Sequence, residues 1–126
     1  MAPTSVGACH CEMCRKASGG VYMAFRTKPD MITFDNDDTL TWFQSSDWAQ
    51  RGFCSKCGST LAWRMASPGS EIGETMMAAG SLDAWDGVAF DHEVFIDNKP
   101  DCYAFAGERH TMTEADIMAM VESAPQ

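Results

Sequence analysis

Positive charge is scarce in this 126-residue chain: nine Lys and Arg stand against 18 Asp and Glu, a formal net charge of −9. Gripping duplex nucleic acid requires clustered cations against phosphate, so no nucleic-acid partner is expected. Long apolar runs are also missing. No stretch approaches the roughly 18 residues that a membrane-spanning helix needs, so no membrane partner is expected either. The opening MAPTSVGA lacks the cationic flank and apolar stretch of a signal peptide, which makes the cytoplasm the expected location. Linkers, internal repeats and low-complexity segments are absent too, leaving a single domain over residues 1–126 as the expected organisation. A chain of this length buries about two-thirds of its unfolded surface and can hold a core without disulfide staples.

What the chain does have is six cysteines, and a reducing cytosol keeps thiols free, so they need another explanation. Five fall into two groups. Cys9, Cys11 and Cys14 crowd into GACHCEMCRKASGG (7–20), and Cys54 and Cys57 form a C-x-x-C followed by Gly58. In the second group two thiolates three residues apart can wrap one ion, and the glycine supplies a positive-φ turn that aims backbone amides at the sulfurs. A thioredoxin-like redox pair would need its first cysteine at a helix N-terminus, whereas strands are predicted on both sides of Cys54 and Cys57. The reading is a zinc knuckle. In the first group Cys9 and Cys11 are too close along the chain for a disulfide, but all three side chains can reach one metal. Three protein ligands leave a fourth tetrahedral position, as in catalytic zinc sites, unless another residue closes it into a structural one. His10, between two ligands in an extended segment, is expected to point the opposite way. Cys102 is read as a small buried hydrophobe. His92 and His110 have no spacing that demands a metal.

The remaining pattern predicts a mainly β protein with one C-terminal helix. Strand-like stretches are VYMAFRT (21–27), with Val21, Met23 and Phe25 on the buried face, MITF (31–34), TLTWFQS (39–45) and AQRGFC (49–54). STLAWRM follows with Leu61, Trp63 and Met65 on one side, then TMMAAGSL (75–82) and HEVFID (92–97). The helix is TEADIMAMVES, capped by Thr113 with Asp116 three residues on, and Ile117, Met120 and Val121 form its apolar stripe. Met23, Met65, Met76, Met118 and Met120 sit in these patterns and are read as core packing. Seven of the nine basic residues, Arg15, Lys16, Arg26, Lys28, Arg51, Lys56 and Arg64, lie in the first 64 positions, around the cysteines. That distribution reads either as a solvated face that offsets thiolate charge or as a local rim for a small anion on an acidic body.

Four stretches, CHCEMCRKASGG (9–20), RGFCSKCGSTLAWR (51–64), AAGSLD (78–83) and HEVFIDNK (92–99), resemble the glutathione-dependent formaldehyde-activating enzyme family, which includes centromere protein V. The resemblance implies coiled, mainly antiparallel β-sheets around zinc. It implies that Cys9, Cys11 and Cys14 hold an open catalytic-type Zn²⁺, and that Cys54 and Cys57 are half of a four-cysteine structural site. Family members carry an earlier Cys-x-Cys on an N-terminal strand, whereas here eight residues precede Cys9 and none is cysteine. Three arrangements follow: a chain that begins upstream of Met1, a Cys54–Cys57 pair without metal, or one closed site made of that pair and two of the first three cysteines. The implied activity is a carbon–sulfur lyase type that joins glutathione to formaldehyde or a related aldehyde. Arg15, Lys16, Arg51 or Lys56 would meet the carboxylates of that small thiol, and His10 and His92 are the candidates for a general base. A non-catalytic zinc-stabilised binding module and a thiol and zinc redox sensor are the alternatives to be tested against it, and TMMAAG and the late methionine stripe could as easily face a partner chain in a homodimer as a core.

Overall fold

The computed structural model describes residues 3–67, 69 and 71–123, the last three for their backbone alone. The chain forms two compact units, one built around the contiguous stretch 24–86, the other from 4–23 together with the segment from Gly87 onward.

The contiguous unit holds β2 (Tyr22–Thr27) from Ala24 onward, β3 (Leu40–Gln44), β4 (Ala49–Cys54), β5 (Thr60–Met65) and β6 (Thr75–Ala78). They lie side by side in the order β3-β4-β5-β6-β2, and each pairing within this set is antiparallel. The β4–β5 hairpin carries Cys54 and Cys57 at its turn. Gly52 on β4 lies opposite Trp42, whose ring passes close enough that a Cβ on Gly52 would sit 2.9 Å from it. The Arg64 guanidinium covers that ring at 3.6 Å and is held there by two hydrogen bonds to Gln50 Oε1.

The other unit holds β1 (Ser5–Cys9), the short helix α1 (Glu12–Ser18), β7 (Ala89–Val94), β8 (His110–Met112) and α2 (Glu114–Ser123). Here the pairing is parallel: β7 runs between β1 and β8. Val6, Gly7 and Ala8 form an unbroken buried run, as parallel strands covered on both faces do. α2 starts as expected: Thr113 N–H donates to Asp116 Oδ2 at 2.9 Å and Asp116 N–H to Thr113 Oγ1 at 3.2 Å, a reciprocal capping box. Among the described residues no helix is long and apolar enough to cross a membrane.

The mainly β architecture with a C-terminal helix is the one the sequence predicts, and several details differ. The cysteine loop contains a short helix, α1, for which no element was predicted; the segment around His10, between Cys9 and Cys11, is extended as expected. Residues 31–34 are not a strand: Pro29 starts a 3-10 turn over Pro29–Met31, and irregular chain follows. On β2 the buried positions are Tyr22 and Ala24, not Val21, Met23 and Phe25, and on β5 it is Ala62 rather than the Leu61, Trp63 and Met65 side. The core is built mostly of small residues (Ala8, Ala24, Ala49, Ala62, Ala66, Ala78 and Ala79) that let elements approach closely. A reading by side-chain size therefore selects the wrong face. Met65, Met118 and Met120 are exposed, not core, and Cys102 is exposed in a turn. The Val121 side chain lies outside the described residues.

Gly7 shows what close approach demands. It pairs with His92 across β1 and β7 beside a register shift, and a Cβ there would lie 1.9 Å from His92 Nε2. The His92 side chain is 36% exposed and paired through Nδ1 with Asp91 at 2.5 Å, so the ring can swing outward at the expense of that pair. Gly7→Ala is expected to cost about 1 kcal/mol in urea unfolding. His92→Ala in the same chain should recover most of that loss, whereas strictly additive losses would show that the ring is not the obstacle.

Candidate metal centre

Cys9 ends β1, Cys11 is the N-cap of α1, and Cys14 lies in its first turn. The three sulfurs lie within 4.8 Å of one another, so one ion can take all three. α1 makes this possible. Cys11 stays extended (φ −62°, ψ 151°) while its side chain accepts the Cys14 N–H at 3.3 Å, and Gly19 closes the helix in the left-handed region at φ 80°. Cys14 is buried and the other two are half-buried. Within this unit, among the described residues, no fourth His, Cys, Asp or Glu comes within the same reach.

The donor chemistry fits a thiophilic cation. The Cys9 thiol is driven strongly up from its ordinary value by hydrogen bonding to the Cys11 and Cys14 side chains, then by burial and by the Cys14 charge. Three crowded sulfurs cannot all ionise alone; a divalent ion is what lets them do so. Three soft, anionic donors in a partly buried site select zinc-like or Cu(I)-like ions over hard magnesium or calcium.

His10 does not join the cluster. Its side chain turns away from the sulfurs, as expected, and is 1% exposed. Nε2 lies 2.8 Å from Glu93 Oε1, and Arg109 reaches Glu93 Oε2 at 2.6 Å. Glu93 is buried, which alone would raise its carboxyl; the hydrogen bonds from His10 and Arg109 outweigh that and hold it below the usual range. An ionised Glu93 only accepts, so the His10 Nε2–H donates to it, and Nδ1 lies 3.4 Å from the Tyr103 hydroxyl. Burial, then the neighbouring Cys102, push Tyr103 up and keep its own proton on the oxygen. Nothing local to the sequence pointed to this network, because Glu93 is 83 positions from His10.

Of the expected anion-binding residues, Arg15 and Lys16 are on α1 beside the trio. The Arg15 Nε is buried with no hydrogen-bond partner, and Lys16 pairs with Glu12 at 2.6 Å on the surface. Arg51 and Lys56 belong to the other unit, on β4 and in the turn that follows it. There Cys54 and Cys57 occupy the hairpin turn expected for them. Gly58 sits at φ 79°, and the Cys54 thiol is pulled down to about 7, first by the Cys57 backbone amide, then by Thr39, Cys57 and the Lys56 amide. Within that unit, among the described residues, no third donor joins the pair. His110 opens β8, and neither it nor His92 joins a metal-type cluster among the described residues.

A cavity of about 360 Å³ lies in the unit of the thiol trio, with Glu93, Ile96, Lys99, Phe105 and Arg109 among its walls. Its cations are already committed: Arg109 to Glu93 and the Ala106 carbonyl, Lys99 to the Pro100 and Tyr103 carbonyls.

The fold and the thiol trio define a mainly β protein with a sulfur-only centre suited to one soft metal ion. The chain belongs to the glutathione-dependent formaldehyde-activating enzyme family, whose pattern it matches over residues 1–98. It is also 30% identical, over 121 residues covering 92% of this chain and 82% of the relative, to an uncharacterised lyase of Schizosaccharomyces pombe.

Proposed function

We propose that this chain is a zinc-dependent lyase that forms and breaks a carbon–sulfur bond between a small thiol, such as glutathione, and formaldehyde or a related aldehyde. Family membership and the lyase relative support the reaction class. The observation that carries the metal part is the trio of sulfurs within 4.8 Å with no fourth donor from their own unit among the described residues, an arrangement that leaves a tetrahedral ion one position for an outside ligand.

Bound zinc would supply Lewis acidity and favour the thiolate form of an incoming thiol. The reaction needs no redox partner: the thiol S–H adds across the aldehyde C=O, the sulfur bonding to carbon and the proton passing to oxygen. Arg15, with its unmet buried donor, and Lys16, whose exposed pair with Glu12 is worth little, are the residues proposed to hold the carboxylates of the thiol substrate. Arg51 and Lys56 remain candidates for the same role. His10 is sealed away from substrate, and among the histidines considered as bases His92 is the one with exposed surface.

The test is elemental analysis of protein purified without added metal or chelator, followed by NMR of glutathione and formaldehyde mixtures with the loaded protein. At least one zinc per chain and adduct formation faster than the uncatalysed rate are expected. Zinc without acceleration would make the chain a zinc-stabilised module. No bound metal would end the metalloenzyme reading and turn attention to thiol redox chemistry.

A further inference from the structure

His10 occupies an odd position for a fully buried imidazole. It separates two of the three sulfur donors, and its ring is enclosed on the side away from them, with Tyr103 and Phe105 centroids at 6.3 and 6.2 Å. Its backbone is pinned as well: the His10 N–H donates to the Val94 carbonyl at 3.1 Å, one step beyond the Cys9–Val94 register pair. Both ring nitrogens have partners, and the main partner is itself clamped, since Glu93 receives Arg109, whose guanidinium lies 4.0 Å over the Phe90 ring.

A purely structural role does not explain this choice. Burying a His–Glu–Arg set incurs desolvation that an apolar side chain of similar size would avoid, and such sets are poor sources of net stability. What a doubly held imidazole provides and a leucine does not is direction. In an extended segment, neighbouring side chains project to opposite faces. A ring fixed in translation and rotation on one face therefore fixes the directions in which Cys9 and Cys11 leave the other.

We infer that His10 is a positioning residue of the thiol centre, and that Glu93, Arg109 and Tyr103 hold it so that the Cys9 and Cys11 sulfurs are presented ready-spaced to the ion. The inference rests on the metal-binding part of the proposed function. Partners that orient metal ligands typically account for 10–100-fold in metal affinity, and His10 acts through the backbone rather than on a sulfur, which places its effect near the lower end.

The experiment is Co²⁺ titration of the purified chain in competition with a chelator, reading affinity together with the thiolate-to-cobalt charge-transfer and ligand-field bands. Glu93→Gln, which keeps shape but loses the charge that orders His10 and Arg109, is expected to weaken Co²⁺ binding about tenfold and to shift the ligand-field bands. His10→Leu should do the same or more, and His10→Gln, whose amide can still donate to Glu93, should recover part of the loss. A role confined to the fold predicts something else: lower unfolding midpoints with unchanged affinity and unchanged bands in the folded variants, and that result overturns the inference. If Glu93→Gln and His10→Leu do not fold, Tyr103→Phe removes one hydroxyl from an intact ring and is read by the same criteria, with a smaller shift expected. Failure of the unaltered chain to show thiolate–cobalt bands would overturn the metal reading itself, and the inference with it. Normal binding by the unaltered chain and by every folded variant would overturn the inference alone.

Discussion

Cys14→Ser is expected to abolish metal binding at the thiol trio. The residue is buried in the first turn of α1, and its sulfur is one of three donors that converge there among the described residues. A serine hydroxyl is neutral at ordinary pH, reaches less far and is a poor ligand for a soft ion. Two remaining thiolates do not make a tight site, so affinity should fall at least about a hundredfold, about 3 kcal/mol. Because an ion that binds only the folded chain stabilises it, the melting temperature of the variant should drop on the order of 10 °C below that of the loaded protein. The unaltered protein stripped by a chelator should melt close to the variant. Cys102→Ser is the control: that thiol is exposed and outside the cluster, and its replacement should change neither metal content nor melting. Wild-type metal stoichiometry and affinity in Cys14→Ser would show that the trio is not the centre.

Arg109→Met is expected to be the most damaging single change away from the sulfurs. The side chains of Arg109 and Glu93 are 8% and 7% exposed, so removing the cation leaves a carboxylate enclosed with His10 alone. Breaking a buried pair in this way costs about 3–5 kcal/mol, far more than the intact pair contributes in net terms. The pH dependence follows from the depressed Glu93 value. In the unaltered protein the contribution of Glu93 is present in full above its ordinary unfolded value of 4.5 and is lost as pH falls through the lower folded one. In Arg109→Met, burial dominates instead and pushes the carboxyl upward, so the variant is relieved by protonation. The gap in unfolding free energy should therefore be widest near neutral pH, should begin to narrow above pH 4.5 as the raised carboxyl of the variant protonates, and should narrow further below 4.5 as the unaltered protein loses the Glu93 contribution. Urea unfolding at a series of pH values checks this, and a gap that stays constant down to pH 3 would contradict it.

The legible parts of this protein were those whose physics is local. The spacing of Cys9, Cys11 and Cys14 announced sulfurs close enough to share an ion, Gly58 announced a left-handed turn after Cys57, and Thr113 with Asp116 announced the start of α2; all three are found as geometry. α1 was missed although its signals were present: Glu12 in the first turn, Arg15 and Lys16 in the last, Gly19 just after. The residue that caps it is a cysteine, which is not among the residues normally sought at an N-cap. The faces of β2 and β5 were misread because alanine, with little apolar surface to mark it, occupies the tightest positions. The backing of the metal centre was illegible for a different reason. Glu93, Tyr103 and Arg109 sit in ordinary acidic, aromatic and basic contexts, and only the parallel pairing of β1 with β7 brings them behind His10.

That parallel pairing also sets a timetable for the protein's birth. Strand β1 and the three thiols leave the ribosome before their register partner β7 and the groups behind His10, of which the first along the chain, Glu93, is encoded 83 residues after His10. At about 5–20 residues per second the gap lasts roughly 4–17 s. During that interval the contiguous stretch 24–86 is itself emerging and has all of its own strands only near the end, while the cysteines have neither neighbouring strand β7 nor the buried clamp. Three closely spaced thiols are thus presented to the cell, open to oxidants and to whatever metal arrives first, before the structure that would space them exists. If the trio binds metal as proposed, its loading in a newly made molecule is expected to depend on the redox state and metal supply around the nascent chain as well as on the finished fold.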